Sequence, residues 1–190
     1  MAFNVRNLPL DGLKLITRQR LGDDRGFLSR LFCADELNGL GWHKPIAQVN
    51  QTLTVSKGTV RGLHYQRPPF SETKLVSCIR GAVWDVAIDL RSDSPSFLKW
   101  HAEILSADNN QAMLIPDGFA HGFQTITDNV ELLYFHSEFY RPKSEAALNA
   151  KDPKLSISWP LDVNILSSRD HEHPFITNEF KGVTLELSSL

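Results

Sequence analysis

From residue 47 to residue 137 the chain alternates between apolar and polar positions in short runs, and glycine, asparagine or aspartate punctuates them. A period of two marks strands with one buried face. The runs predict strands at residues 13–19, 27–32, 47–55, 59–65, 74–79, 82–90, 100–105, 112–115, 119–125 and 130–137. Residues 22–26 read as a loop, and Ser56-Lys57-Gly58 as a hairpin turn between its flanking strands. Arg80-Gly81, Asp108-Asn109-Asn110 and Thr127-Asp128-Asn129 are further turns. One short helix is expected at residues 34–40, ended by Gly41. Beyond Lys143 the pattern is irregular, with short helices expected near Ala146 and after Asp162. Short strands at regular spacing, separated by turn residues, point to an all-β sandwich or barrel.

Two runs carry unusual polar content. Gln48, Asn50, Thr52 and Thr54 share one face of their strand. In residues 82–90, Trp84, Val86, Ile88 and Leu90 form one face, while Val83, Asp85, Ala87 and Asp89 form the other. The first face is expected to pack a core. The two carboxylates on the second are expected to be solvated or to bind turn backbone.

At 190 residues, the chain is expected to form one domain over residues 1–190, with enough length for a full core. Hydrophobic residues make up 42% and charged residues 22%, ordinary values for a globular protein. A net charge of −2 without any lysine or arginine run argues against nucleic acid as a partner. No apolar run reaches membrane length, and the first residues show no signal-peptide core. Cys33 and Cys78 fit neither a disulfide framework nor a zinc pattern. Both read as buried small apolar residues of a cytoplasmic protein.

The chemistry concentrates in TVRGLHYQRPPFSETK, residues 59–74. Arg61 and His64 lie near the end of one strand, Pro68 and Pro69 interrupt the pattern, and Lys74 starts the next strand. A guanidinium, an imidazole and an ammonium at one loop mouth suit an anionic substrate and proton transfer at neutral pH. Arg61 and His64 differ in strand parity. They serve one site only if the strand bulges or ends near Gly62, or if a subunit interface joins the two faces.

Taking a proton from carbon beside a carbonyl requires a base, an enolate stabiliser and an acid to return the proton. His64 is the candidate base, Lys74 the stabiliser and Tyr134 the acid. Each has an ordinary structural alternative: a hydrogen-bonded strand-end histidine, a surface lysine, and a core aromatic within LLYF. Pro116-Asp117-Gly118-Phe119-Ala120-His121 matches the PxGxxH half of the cupin pattern. The metal-binding half needs an HxH pair and a downstream glutamate. Here His64 is followed by Tyr65 and Gln66, so neither a metal nor another cofactor is expected.

Several motifs occur in order: Asp24-Arg25-Gly26-Phe27, Gln48 with Asn50, Arg61-Gly62-Leu63-His64-Tyr65-Gln66, Lys74-Leu75-Val76 and Asp85-Val86-Ala87-Ile88-Asp89-Leu90-Arg91. Ile115 to Phe123, Tyr140 with Pro142 and Glu145, and Trp159-Pro160 follow. Together, over about residues 13–170, they resemble the dTDP-4-dehydrorhamnose 3,5-epimerase family. Each motif is modest alone; the ordered set is specific.

The resemblance implies a jelly-roll, cupin-like β-sandwich that acts as a homodimer without metal or organic cofactor. It implies epimerisation at C3 and C5 of a nucleotide-linked 4-keto-6-deoxyhexose, whose C4 ketone acidifies both positions. His64 would be the base, oriented by Asp170, an assignment that rests on the resemblance alone. Tyr134 would be the acid on the opposite face, and Lys74 would stabilise the enolate. Arg25, Gln48, Asn50, Arg61, His121 and Glu145 would hold nucleotide, diphosphate or sugar, with Arg25 placed to reach across the dimer. A part in bacterial cell-surface glycan synthesis follows only from the family.

Two positions depart from the family's usual pattern. Arg30 stands where a glutamate is common. Phe139 stands where a tyrosine stacks on thymine, and it keeps the ring without the hydroxyl. Some relatives epimerise C3 alone. A metal-dependent cupin is disfavoured by the missing HxH pair. A non-catalytic sugar-binding jelly roll is disfavoured by the joint presence of His64, Lys74, Tyr134 and Asp170.

Overall fold

The computed structural model describes residues 3–185. Strands β1 (Phe3–Asn7) and β2 (Lys14–Arg18) come first, then β3 (Arg20–Asp23), β4 (Gly26–Ser29) and helix α1 (Ala34–Asn38). The series continues with β5 (Gln48–Thr54), β6 (Val60–Gln66), β7 (Lys74–Arg80) and β8 (Ala82–Asp89). After these come β9 (Trp100–Ser106), β10 (Gln111–Ile115), β11 (Phe119–Thr125) and β12 (Val130–His136). Strand β13 (Glu145–Ala147) and the single-turn helix α2 (Ser168–His171) complete the elements.

The strands form two main antiparallel sheets, ordered β1-β2-β10-β7-β12-β5 and β13-β6-β11-β8-β9, with β3-β4 as a separate ribbon. The sheets face each other across Leu15, Val76, Met113 and Leu132 on one side and Val83, Ala87, Leu105 and Phe123 on the other. This is the expected all-β, cupin-like jelly-roll sandwich.

The outer faces are covered as well. Val86, Ile88 and Leu90 pack against Leu148, Leu155, Ile176 and Val183 of the C-terminal segment. On the other sheet, Ile16, Leu75, Leu114 and Phe135 pack against Leu37 and Trp42. Each large apolar side chain buried in this way contributes roughly 1.5–3 kcal/mol. A sheet buried on both faces leaves no solvated face for carboxylates, so the expectation of solvent around Asp85 and Asp89 fails: both have zero exposure. Asp89 is held in the turn by the Arg91 guanidinium and the Ser94 and Ser96 hydroxyls. Asp85 meets His121.

Four local expectations need correction. Ser56-Lys57-Gly58 is not a hairpin turn, because β5 and β6 belong to different sheets; the same turn chemistry serves a crossing between layers. Residues 22–26 are not all loop, since Asp23 pairs with Gly26 and only Asp24 and Arg25 form the tip of a ribbon. That ribbon joins neither main sheet and leaves Phe27 and Leu28 exposed. Ala146 lies in β13, paired with Tyr65, and not in a helix. Cys78 is buried as expected, but Cys33, just before α1 and outside the sheets, is partly exposed.

Candidate active site

A polar cleft of about 490 Å³ lies between the sheets, a size typical of small-molecule sites. One wall carries Gln48, Asn50 and Thr52 of β5, Lys74 of β7, and Tyr134 and His136 of β12. The other carries Arg61 and His64 of β6 and His121 and Phe123 of β11. The strand period builds these walls. Along β12, Leu132 enters the apolar cluster and the next residues of the same face, Tyr134 and His136, line the cleft. Along β7, Val76 and Cys78 fill the core while Lys74 lines the cleft. The Gln48–Asn50–Thr52 face does what its alternation predicted.

Arg61 and His64 reach the same cleft through an irregularity in β6. His121 pairs with His64 and Phe123 with Arg61, so two steps on β11 span three on β6. The extra residue changes the parity between Arg61 and His64. Gly62 sits there at φ +125°, and a Cβ on it would approach Gly122 Cα to 2.6 Å. Only glycine fits so close a backbone approach.

His64 Nε2 lies 2.8 Å from Asp170 Oδ1. Asp170 belongs to α2, whose N-cap Ser167 accepts the Asp170 backbone N–H. Burial alone would raise the Asp170 carboxyl pKa; hydrogen bonds from His64 and Ser167 and from the Gly62 backbone outweigh it and hold the carboxyl below its usual range. An ionised carboxylate only accepts, so Nε2 carries a proton; in the neutral imidazole Nδ1 then holds the lone pair.

Across the cleft, desolvation raises the Tyr134 phenol far above its ordinary pKa, so it holds its proton at neutral pH. Its ring stacks on His136 at 6.1 Å and meets His121 edge-on at 6.1 Å, while also packing against the apolar core. Tyr134 therefore packs on the core, as the core-aromatic reading has it, and also lines the cleft. His64 and Tyr134 stand on different sheets, on opposite walls of one cleft.

Lys74 is buried, with Nζ 3.1 Å from Glu72 Oε1. Glu72 also accepts from His136 Nδ1 at 2.9 Å. Burial would raise the Glu72 carboxyl, but Lys74 and His136 together pull it below its usual value. His121 Nε2 and Asp85 Oδ1, both buried, are 2.8 Å apart. Glu145 lines the cleft, takes the Tyr140 hydroxyl at 2.7 Å and pairs with Arg169. Arg61 makes no ion pair with any described residue, which leaves its guanidinium available to an anion.

The structure thus gathers Gln48, Asn50, Arg61, His64, Lys74, His121, Tyr134 and Glu145 at one cleft, with Asp170 behind His64. It does not bring Arg25 or Phe139 into the lining. Arg25 is on the β3-β4 ribbon, paired with Asp23, and Phe139 is exposed beside Tyr140. Arg30 pairs with Glu36, also away from the cleft. Sequence reading missed Glu72, His136, Asp85 as the partner of His121, and Arg169. Glu72 sits in the polar lead-in Ser71-Glu72-Thr73 and looks like loop; His136 follows Tyr134 by the strand period, which was its one available signal.

A double-sheet antiparallel sandwich with an imidazole–carboxylate dyad and a protonated phenol on opposite walls defines a cupin-like protein equipped for proton transfer. The chain belongs to the dTDP-4-dehydrorhamnose 3,5-epimerase family, whose sequence profile matches residues 7–178. It is 41% identical to the dTDP-4-dehydrorhamnose 3,5-epimerase of Pseudomonas aeruginosa, covering 90% of this chain and 94% of that one. It is 35% identical to the dTDP-4-dehydrorhamnose 3-epimerase of Streptomyces niveus, covering 90% and 82% of the two chains. The crystal structure of a 3,5-epimerase from Legionella pneumophila, in complex with dTDP-4-keto-L-rhamnose, superposes with a TM-score of 0.90 at 36% identity, covering 97% of this chain and 99% of that one. Among the described residues, no helix is long and apolar enough to cross a membrane.

Proposed function

We propose that the protein converts dTDP-4-dehydro-6-deoxy-D-glucose to dTDP-4-dehydro-L-rhamnose by epimerising C3 and C5. The observation that carries this reading is the placement of His64 and Tyr134 on opposite walls of one cleft, with Lys74 on the same cleft. His64 Nδ1 takes the proton from the carbon beside the C4 ketone. The electron pair moves into the C4 oxygen, whose negative charge the Lys74 ammonium stabilises. The Tyr134 phenol returns a proton from the other face, so configuration inverts. Asp170 keeps the proton on His64 Nε2 and favours the imidazolium formed in the first step.

Gln48, Asn50, His121 and Glu145 hold the sugar and nucleotide, and Arg61 the diphosphate, for which a guanidinium fork is well shaped. Arg25 and Phe139 join the site from the ribbon and the rim in a homodimer. The exposed Phe27 and Leu28 of the ribbon and Val49 and Leu53 on edge strand β5 support that assembly, since each is apolar surface beside unpaired backbone. A monomer by light scattering at micromolar concentration would count against it. The chain acts as one domain, in the cytoplasm, where nucleotide sugars are made.

The test is proton NMR of enzyme and dTDP-4-dehydro-6-deoxy-D-glucose in deuterium oxide. Loss of both the C3 and C5 proton signals is expected. A second reading, epimerisation at C3 alone, is favoured by the Streptomyces niveus relative and predicts loss of the C3 signal only. No exchange at either carbon would overturn both readings for this sugar.

A further inference from the structure

One histidine near the dyad has no part in the proposed proton transfer. His173 follows α2 and directs Nε2 toward Asp170, 4.0 Å from Oδ1. That nitrogen is shielded from solvent and has no hydrogen-bond partner. A buried imidazole nitrogen without a partner is uncommon, because its desolvation is uncompensated; an ion or a water usually explains one. One ligating atom each from His64, Asp170 and His173 lies within 4.8 Å of the other two.

We propose that these three residues form an inhibitory zinc site, in which a bound ion takes the catalytic dyad out of use. The geometry is close to what zinc requires. Bonds of about 2.0–2.1 Å in a tetrahedron put ligand atoms about 3.3 Å apart. The separations here bracket that value: 2.8 Å from His64 to Asp170 and 4.0 Å from His173 to Asp170. Small side-chain rotations close the set. Two imidazoles and one carboxylate select zinc and its neighbours over magnesium or calcium, which prefer oxygen ligands. Three protein ligands leave a fourth position for water.

The mode of inhibition follows from the tautomer. With zinc on Nε2, the His64 proton moves to Nδ1, and the lone pair that would accept the substrate proton is gone. No proton is lost overall and no bond to substrate changes. The site differs from a resident cofactor, since the reaction runs without it and stops when it fills. The inhibitory half of this inference rests on His64 being the base; the binding half does not.

The experiment uses chelator-treated protein, equilibrium dialysis against zinc chloride, and the deuterium-exchange assay at matched zinc concentrations. One zinc per chain is expected, with loss of exchange over the same concentration range and recovery on adding EDTA. His173→Ala should keep exchange without zinc, and should need about tenfold more zinc or above for both binding and inhibition, as loss of even an outer partner weakens a site that much. His64→Ala, read by dialysis alone, should also lose the zinc. Unchanged zinc binding or inhibition in His173→Ala would overturn the proposal, as would stimulation by zinc or no stoichiometric binding. Zinc bound and lost in His173→Ala, with no exchange in the wild type on this sugar, would leave the metal site standing and sink the epimerase reading instead.

Discussion

Gly62 and Gly122 pass backbone against backbone, so close that a Cβ on Gly62 would sit 2.6 Å from Gly122 Cα. That contact lies within the β6 irregularity that sends Arg61 and His64 to the same cleft. Gly62→Ala should therefore injure stability and activity together. The added methyl meets backbone, which cannot yield as a flexible side chain would, and φ +125° is unfavourable for alanine. A loss of roughly 1–3 kcal/mol is expected in urea unfolding. The surviving folded fraction should show reduced turnover, because Arg61 and His64 lose their common aim.

Tyr134→Phe should separate structure from chemistry. The ring keeps its packing against His136 and the core, so the urea midpoint should move little. Only the hydroxyl is lost, the group that in the proposed reaction returns the proton. Product formation should fall by about 10²–10⁴-fold, the usual contribution of a positioned acid. Deuterium uptake at C3 should fall much less, because removal of the proton depends on the other wall. Equal losses in both would show that Tyr134 is no acid.

Glu72→Gln tests the network behind Lys74. The Glu72 carboxyl is held below its usual pKa: burial opposes this, but Lys74 and His136 outweigh burial. The unfolded chain therefore binds more protons than the native state as pH drops through the ordinary glutamate value of about 4.3. Stability from this group is present above that value and is lost as pH falls through the lower folded pKa. Urea midpoints of the wild type measured from about pH 3 to 7 should decline on the acid side, and Glu72→Gln should decline less steeply. The same variant frees Lys74 from its carboxylate, so turnover should drop while the chain stays folded.

The sandwich and half of the cleft were legible for one physical reason: strand period fixes which residues share a face. Gln48, Asn50 and Thr52 were placed by alternation alone, and Tyr134 and Lys74 reach the cleft from the same rule. The rule stops at the strand ends. The turn at Ser56-Lys57-Gly58 has the same chemistry whether it joins partners in a sheet or crosses between sheets. The burial of Asp85 depends on β11 and on the tail folding over the opposite face, contacts made by distant residues. Asp170 meets His64 across 106 positions, so no local pattern pairs them and only the family resemblance did. Phe27 and Leu28 look like core in the sequence and are exposed in the chain, because the β3-β4 ribbon joins neither main sheet.

The dyad itself gives the sharpest prediction. In the proposed reaction His64 takes the proton, so in His64→Ala deuterium uptake at both carbons should vanish. Asp170→Asn is the more informative variant. Its amide keeps the size and the Ser167 cap, since that cap uses the Asp170 backbone N–H and not the carboxyl. It removes the negative charge that keeps the proton on Nε2, and an asparagine NH₂ turned toward Nε2 would select the other tautomer. Exchange at C3 and at C5 should then fall by the same factor, about 10²–10⁴-fold, because one base serves both positions. Affinity for the nucleotide sugar should hardly change, as Asp170 does not line the cleft. Unequal losses at the two carbons would mean that a second group removes one of the protons. The buried His121, with Asp85 at 2.8 Å, would be the first to examine.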